Sequence, residues 1–326
     1  MFSSLWRKNT QKNKPSQLIN QVDCNWLGEY FFIQDGLPRP DWTSIYKHVE
    51  QNLQNENADS VWCSIAGKWL EKLSHALPAQ YQFVETENFI LMSSGDERYN
   101  KNLSQFLERC RRRLLFNTKG ITRDEGDGKH VVIVLSDIDS YYQYVAAAYG
   151  AKGGDYGLSS GMYINNGYGH FVFVEQELWV VEPIAAHEMT HALLSHLTLP
   201  LWVNEGMAVN MEAMLTGSTL DGMTASLLEA HQEFWSNKTV QQFWQGESFS
   251  RSDEGQRLSY QLAQILVSQL SKDYDVFMEF MNTVNWEDGG ESAMKNAYSI
   301  GLGDLMAGFL GEGDWQPQPN EWNIGQ

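Results

Sequence analysis

The chain has 326 residues, and its 42% hydrophobic and 13% aromatic content is enough to fill one large core or two of ordinary size. Lysine and arginine number 23 against 41 aspartate and glutamate residues, which gives a net charge of −18. That charge opposes binding to phosphate backbones and to anionic membrane surfaces. We therefore expect neither nucleic acid nor a membrane among the partners of this protein.

Cysteine usage and the N-terminal sequence indicate a reducing compartment. The 3 cysteines, Cys24, Cys63 and Cys110, are far apart and show no CxxC spacing, which argues against a disulfide framework and against a thiolate metal site. Residues 1–16 include basic side chains but no apolar run of the length of a secretory signal, and no later stretch approaches a membrane span. We expect a cytoplasmic protein.

The N-terminal part of the chain predicts a tail, an accessory region and an α/β subdomain. Residues 1–20 are polar and predict a tail, residues 21–82 predict an accessory and mostly helical region, and residues 83–198 predict the α/β subdomain. The predicted elements are helices at 42–53, 61–77 and 101–115, strands at 88–92, 131–135 and 169–175, and loops with short strands at 150–169.

The C-terminal part of the chain is predicted to be helical. From Pro183 the pattern is nearly continuous helix, with breaks expected near Pro200 and at later glycines. Residues 199–310 form the predicted helical subdomain, and residues 311–326 predict a loose tail. The expected fold class is α+β, with a small mixed sheet followed by helices.

A pair of histidines with metal-ligand spacing lies in the segment His187-Glu188-Met189-Thr190-His191. Two histidines four residues apart in a helix lie on one face, where both imidazoles can reach a single ion, and the spacing suits zinc. Glu188 would project beside the metal, in position to take a proton from a water, so it is the candidate general base. The alternative is that these residues fall in this order by chance.

A catalytic zinc needs a third protein ligand and an open position, and Glu205 is the candidate for that ligand. Asn204 is a favourable N-cap, so Glu205 would sit in the first turn of a second helix, where the helix dipole favours an ionised carboxylate. His196 is the rival third ligand, but five residues after His191 it would point off the ligand face of the helix. A first-turn glutamate with no special role is the other alternative.

Around these residues the sequence resembles the gluzincins, specifically the peptidase MA-like families, in which the HExxH helix is followed by a Pro-x-Trp-x-x-Glu-Gly-x-Ala segment. Here that segment is Pro200-Leu201-Trp202-Val203-Asn204-Glu205-Gly206-Met207-Ala208. The resemblance is specific over residues 183–212 and weaker over 85–310. It implies a thermolysin-like zincin core with a helical N-terminal accessory region, a single Zn²⁺ ion on His187, His191 and Glu205, and Glu188 as the general base.

The resemblance also implies a tyrosine on a downstream helix. Tyr260, within Leu258-Ser259-Tyr260-Gln261-Leu262-Ala263, is the candidate oxyanion donor. A phenol can hydrogen-bond a developing negative charge without being charged itself. A core tyrosine on an apolar helix is the alternative, and Tyr163, Tyr168 and His231 are the substitutes for Tyr260 as the donor.

Three further features bear on this interpretation. Glu212 follows Glu205 by seven residues on the same helix face, and it either accepts a hydrogen bond from a ligand histidine or is an exposed glutamate. The predicted strand at 169–175 either pairs with an extended peptide substrate or lies inside a sheet. The segment Gly161-Met162-Tyr163-Ile164-Asn165 occupies the place of the Gly-x-Met-Glu-Asn motif of aminopeptidases of this clan, but lacks its glutamate, so aminopeptidase activity is not expected.

The predicted function is hydrolysis of peptide bonds in a peptide or protein substrate by a zinc-activated water, with Glu188 taking the proton. One rival is a non-catalytic protein that keeps the site as a structural zinc centre or peptide-binding groove. The intact Glu188 argues against it, because a structural zinc site needs a fourth ligand instead of a base. A second rival is a chain with no metal and a chance motif, which metal analysis distinguishes from the other two.

Overall fold

The computed structural model describes residues 22–126, 128–149, 160–217 and 224–322. Contacts between Cα atoms divide the chain into two compact units. The first unit contains the described residues of the ranges 1–105, 127–154 and 164–175, and the second contains those of 106–126, 155–163 and 176–326. The predicted tail at 1–20 lies outside the described residues.

The sheet is small and mixed, as the α+β prediction requires. Its strands are β3 (Gln82–Glu85), β4 (Phe89–Ser93), β5 (His130–Leu135), β6 (Gly161–Ile164) and β7 (His170–Val174), in the order β3-β4-β5-β7-β6. β4 pairs antiparallel with β3 and parallel with β5, and β5 pairs parallel with β7. Every residue of β4 and β7 is buried, which is why these strands are continuous apolar runs in the sequence.

The interior position of β7 decides one of the alternatives above. The strand predicted at 169–175 is β7, and it lies between β5 and β6 in the sheet order. Its main-chain groups are therefore used within the sheet. The hypothesis that this strand offers an edge to an extended peptide is wrong, because the strand at the end of the sheet order is β6.

The accessory region contains a β-hairpin as well as its predicted helices. β1 (Phe31–Gln34) and β2 (Leu37–Pro40) pair antiparallel. Asp35 and Gly36 connect them with φ values of 51° and 80°, the left-handed conformation that a two-residue hairpin turn needs. Because Asp-Gly is a known hairpin signal, the sequence did carry this information, and the mostly helical prediction for 21–82 is incomplete.

The remaining helices of the N-terminal half follow polar capping residues. Asp41 and Asn57 accept hydrogen bonds from the main chain of the first turns of α1 (Trp42–Asn52) and α2 (Ala58–Ala76). α3 (Glu97–Asn117) follows β4, and α4 (Ile138–Tyr149), which was not predicted, follows β5. Cys24, Cys63 and Cys110 are buried free thiols.

The second unit is built around helices with a shared apolar core. The helices are α5 (Leu178–Leu194), α6 (Leu201–Thr216), α7 (Ala225–Phe234), α8 (Asn237–Gln245), α9 (Glu254–Leu270), α10 (Tyr274–Thr283), α11 (Glu291–Tyr298) and α12 (Leu302–Leu310). Trp202, Phe243 and Phe280 are fully buried in this core. Gly217 and Gly246 end α6 and α8 in the left-handed conformation, which accounts for two of the predicted breaks.

Residues 311–322, the described part of the predicted loose tail at 311–326, pack within the second unit instead of lying loose, and residues 323–326 lie outside the described residues. Trp315 and Trp322 are each only 8% exposed and belong to the core of the second unit. Trp244 Nε1 donates to the carbonyl of Trp315, and Trp322 Nε1 donates to Gln241 Oε1. Pro317 and Pro319 suggested a loose chain, but the two indoles bury enough apolar surface to hold it.

Across the described ranges, no helix is both long enough and apolar enough to cross a membrane.

Candidate metal centre

The helix that carries the HExxH motif is α5, and it begins earlier than predicted. Pro183 was expected in the first turn, but α5 starts at Leu178 and Pro183 lies inside it. The carbonyl of Glu177 accepts from the N–H groups of Val180 and Val181, which forms a complete turn before the proline. Since proline near the start of a helix leaves only one early carbonyl without its partner, the helix continues through it.

His187 and His191 lie on one face of α5, as their spacing predicts. Their ring centroids are 4.7 Å apart, with the ring planes 77° from each other. The buried residues of this helix include Ala185, Ala186 and Met189, which lie beside the histidines in sequence. The two imidazole side chains are 17% and 16% exposed, so they are mostly buried but keep one side open.

Glu205 lies on α6, which also begins earlier than predicted. α6 starts at Leu201 with Pro200 as its N-cap, so Glu205 is in the second turn and Asn204 is not the N-cap. The motif tryptophan explains the difference, since Trp202 is fully buried and donates from Nε1 to the carbonyl of Gly289 at 2.9 Å. The buried indole and its hydrogen bond fix the first turn of α6, which precedes Glu205 by one turn.

A close approach between α6 and α9 fixes the position of the Glu205 backbone relative to α9. A Cβ atom added at Gly206 would lie 2.5 Å from the carbonyl oxygen of Ala263, so only glycine fits there. Asn210 Nδ2 donates to the carbonyl of Gln264 at 3.0 Å and connects the same two helices one turn later. The glycine of the Glu-Gly pair is thus required by packing and not by a turn.

These elements bring three potential metal-ligating side chains together. A ligand atom of each of His187, His191 and Glu205 lies within 4.8 Å of the other two, and the three residues form a group that could hold a metal ion. Glu205 Oε2 is 3.2 Å from Nε2 of His187 and 3.6 Å from Nε2 of His191. Neither contact has hydrogen-bond geometry, so this buried carboxylate oxygen has no hydrogen-bond donor within the described part of the chain.

The outer nitrogens of both histidines face acceptors. His187 Nδ1 lies 3.2 Å from Glu212 Oε2, and His191 Nδ1 lies 3.1 Å from Asn204 Oδ1. A carboxylate and an amide oxygen only accept, so each Nδ1 is the protonated nitrogen and each Nε2 of the neutral ring presents a lone pair. Glu212 therefore contacts His187, a candidate metal ligand, and this contact decides between the two interpretations of Glu212.

Two lone pairs and a carboxylate oxygen converge on one small volume, an arrangement that is unfavourable unless a positive charge lies between them. The protein groups alone respond by binding protons. Burial by itself would lower the pKa of His187, but the carboxylates of Glu205 and Glu212 raise it to about 10. Burial would raise the pKa of Glu205, but the two imidazoles lower it to about 2. The site thus favours a cation in place of these protons.

Glu188 lies beside the group without belonging to it. Its Oε2 accepts a hydrogen bond of 2.7 Å from the backbone N–H of Tyr163, in β6. Burial raises the pKa of the Glu188 carboxyl, while His191, His187 and the Tyr163 amide oppose that rise. A carboxylate with a raised pKa next to a cation site is suited to accept a proton.

Tyr260 is on α9, the helix that packs against α6. Its ring contacts Phe249 edge to face, with centroids 5.2 Å apart. Burial, together with the negative charges of Glu205 and Glu188, raises the pKa of the Tyr260 phenol. The hydroxyl therefore stays protonated and can act as a hydrogen-bond donor near both carboxylates.

His196, the rival ligand, lies after the end of α5 and is not part of the three-residue group.

Two contributions to the site could not be expected from the spacing of side chains. Asn204 was interpreted as a helix cap, although an amide one residue before a ligand can equally reach the histidine of the neighbouring helix. The Tyr163 contact uses a main-chain N–H, which every residue except proline has, so no residue pattern marks it.

No protein-family model matches this sequence, and neither does any curated protein.

Proposed function

We propose that this protein is a zinc-dependent metallopeptidase of the gluzincin type, with a thermolysin-like zincin core. The observation that carries the proposal is the convergence of His187 Nε2, His191 Nε2 and Glu205 Oε2 beside a partly buried fourth group, Glu188. Zinc with ligand bonds of about 2.0–2.1 Å in a tetrahedral arrangement separates its ligand atoms by about 3.3 Å. The distances of 3.2 Å and 3.6 Å from Glu205 to the two imidazoles agree with that spacing.

The donor set also favours zinc over other common ions. Two imidazole nitrogens and one carboxylate oxygen are ligands of catalytic zinc, whereas magnesium and calcium prefer oxygen ligands alone. Three protein ligands leave a fourth position open, as a catalytic site requires. Glu212 and Asn204 would orient the imidazoles through their Nδ1–H groups and fix the tautomer that binds metal.

A bound zinc ion would supply a Lewis acid that lowers the pKa of a water molecule and polarises the substrate carbonyl. The residues of the chain would do the rest. Glu188 would accept the proton of the water as it attacks the peptide carbonyl, and would later return that proton to the leaving amine. Tyr260 would donate a hydrogen bond to the oxygen on which negative charge develops.

Metal analysis and peptide digestion of wild type and Glu188→Gln test the proposal together. We expect a single zinc ion per chain in both proteins, since glutamine leaves the three ligands in place. Cleavage of a proteome-derived peptide mixture should fall about 10²–10⁴-fold in the variant, the range for loss of a general base. Glu182→Gln on the same helix is the matched control and should keep both properties.

Each rival predicts a different result. Zinc that is present without any Glu188-dependent cleavage would support a structural or peptide-binding centre instead of an enzyme. Wild-type protein that contains no zinc after purification without chelators, and takes up none on titration, would exclude a zinc site and with it both the proposed enzyme and the structural zinc centre.

A further inference from the structure

The hydrogen bond between Tyr163 and Glu188 connects the candidate general base to the main chain of a strand. The backbone N–H of Tyr163 and Oε2 of Glu188 are 2.7 Å apart, at the short end of the range for N–H···O bonds. Short distances of this kind are typical of bonds to an ionised acceptor. Both residues belong to the second unit, and 25 positions separate them in the sequence.

This bond restrains the orientation of the Glu188 carboxylate. Glutamate has three rotatable side-chain bonds, and the electrostatic interactions of Glu188 with His191, His187 and Glu205 do not fix its direction. A main-chain donor cannot rotate independently of its strand. One oxygen of the carboxylate is therefore held at a fixed point, and the plane of the carboxylate can turn only about that point.

The bond also makes the two carboxylate oxygens different. Oε2 already accepts a hydrogen bond from the Tyr163 N–H. This bond stabilises negative charge on Oε2 and makes it the poorer proton acceptor of the two oxygens. Oε1 has no such donor from Tyr163. A proton transferred to Glu188 would then arrive at Oε1.

We propose that the main-chain amide of Tyr163 is a positioning group for Glu188, holding Oε2 so that Oε1 takes and returns the proton. This inference rests on the proposed function, in which Glu188 is the general base. The proton moves from the attacking water to Oε1 and from Oε1 to the nitrogen of the leaving amine, while the Tyr163 amide keeps its own proton throughout. The tyrosine side chain has no part in this role, so any residue with an N–H group should serve.

Two substitutions at one position separate the amide from the ring. Tyr163→Pro removes the N–H, and Tyr163→Ala keeps it while removing the phenol ring. Proline at this position removes the bond from the Tyr163 N–H to Glu188, and it falls in β6, the end strand of the sheet, where proline is best tolerated. We expect kcat of Tyr163→Pro to fall about 10- to 100-fold, the usual effect of displacing a catalytic group, with KM and zinc content unchanged. Tyr163→Ala should lose less kcat than Tyr163→Pro, because it keeps the N–H that donates to Glu188.

The kinetic outcomes distinguish this proposal from the proposed function. Glu188-dependent cleavage that is equally fast in Tyr163→Pro and Tyr163→Ala would overturn the positioning role alone. A loss of zinc in Tyr163→Pro would also overturn it, since a positioning group for the base should not affect the metal ligands. Absence of Glu188-dependent cleavage by the wild type would instead overturn the proposed function.

A measurement without turnover covers the case in which Tyr163→Pro does not fold. In protein labelled with ¹⁵N-tyrosine, the amide resonance of Tyr163 is assigned as the one that is lost in Tyr163→Phe. Because a bond to a carboxylate deshields the amide proton, this resonance should move upfield in Glu188→Ala and stay in place in Glu182→Ala. An amide resonance that is the same in both variants would show that the bond does not form in solution, and the inference would be wrong.

Discussion

The three candidate metal ligands together contribute a single negative charge. Among the described residues, Glu205 is the carboxylate that contacts both imidazoles, and its pKa, lowered to about 2, keeps it ionised near neutral pH. Two neutral imidazoles and one carboxylate would leave a divalent ion with a net positive charge. That charge would favour ionised Glu188 nearby and would strengthen the acidity of a water at the open position. Glu212, with its side chain 30% exposed, balances the remainder from the solvent side.

Tyr260 allows a test of oxyanion stabilisation that leaves the metal ligands untouched. We expect Tyr260→Phe to lower kcat about 10²–10³-fold, as removal of a single oxyanion donor does, and to leave KM and zinc content near wild type. The phenylalanine ring keeps the edge-to-face contact with Phe249. Steady-state kinetics on one cleaved peptide measure the effect.

A second tyrosine serves as the control for that substitution. Tyr274 donates from its hydroxyl to the carbonyl of Lys119, away from the histidines, so Tyr274→Phe removes a hydrogen-bonded phenol of the same unit. Its kcat should stay at the wild-type value. If Tyr260→Phe behaves like Tyr274→Phe, the hydroxyl of Tyr260 has no catalytic role and the residue is a core tyrosine.

Helix periodicity explains which parts of the site the sequence could predict. His187, Glu188 and His191 lie on one continuous helix, so their relation follows from 3.6 residues per turn and nothing else. Glu212 is related to Glu205 in the same way. The contacts that join different elements are of another kind, since Asn204 reaches across from α6 to α5 and Tyr163 reaches α5 from a strand. Such contacts depend on how elements pack, which no local pattern specifies.

Element boundaries were predictable only where a local signal ends the element. Gly217 and Gly246 stop their helices because they adopt a left-handed conformation that other residues avoid. Pro183 and Asn204 were interpreted as helix starts, and both lie inside helices, because buried apolar residues before them extend each helix toward its N-terminus. The tertiary core, through Val181 and Trp202, outweighs the local capping preference.

The α6–α9 contact predicts that a methyl group added at Gly206 will destabilise the protein and displace Glu205 in the candidate metal centre. Gly206→Ala would place Cβ 2.5 Å from the carbonyl oxygen of Ala263 and 2.6 Å from Val267 Cγ2, so the helices must separate. We expect a loss of about 1–3 kcal/mol in the free energy of unfolding, as overpacking produces. Because Glu205 is the preceding residue, zinc affinity should fall as well. Urea denaturation and chelator competition measure the two effects.

Gly308 in α12 is the matched control for this substitution. It is also a helical glycine, but an added Cβ would meet no atom within 4 Å. Gly308→Ala should therefore stabilise the protein by about 0.5–1 kcal/mol, because alanine has less conformational freedom to lose on folding. A Gly206→Ala variant that is as stable as Gly308→Ala and binds zinc normally would contradict the packing argument.

Each of the two units buries one histidine that the candidate centre does not use. In the first unit, Tyr168 O accepts from His170 Nδ1–H and the Tyr144 hydroxyl donates to Nε2, both at 2.7 Å. In the second, Trp235 Nε1–H donates to His231 Nδ1 at 3.0 Å. These partners fix a neutral tautomer in each ring. Burial, assisted by Arg39 and by Arg257 respectively, lowers the pKa of each histidine to about 4.

These two histidines predict a loss of stability in weak acid. Their folded pKa of about 4 is below the ordinary value of 6.5, so between these values the unfolded chain binds more protons than the folded protein. The free energy of unfolding is therefore unaffected above pH 6.5 and decreases as the pH falls below it, by up to about 2 kcal/mol per histidine at pH 5. Burial raises the pKa of the Glu182 and Glu188 carboxyls, but both groups are present in every variant compared, so the part of the slope that a histidine substitution removes belongs to that histidine.

Metal-free protein is the right sample for measuring this effect. Zinc would dissociate in acid and add its own loss of stability. In the metal-free protein the pKa of His187, raised to about 10, and the raised pKa of His191 make the folded protein bind more protons than the unfolded chain near pH 6.5. These two rings therefore add a smaller slope of opposite sign, which is the same in every variant compared. Urea denaturation at several pH values between 6.5 and 5 should give a slope that His231→Gln reduces by about half, because one of the two buried rings is then absent. The exposed His75→Gln is the control and should keep the wild-type slope. A wild-type protein whose stability does not change over this interval would mean that neither buried ring resists protonation, and that water reaches both cores.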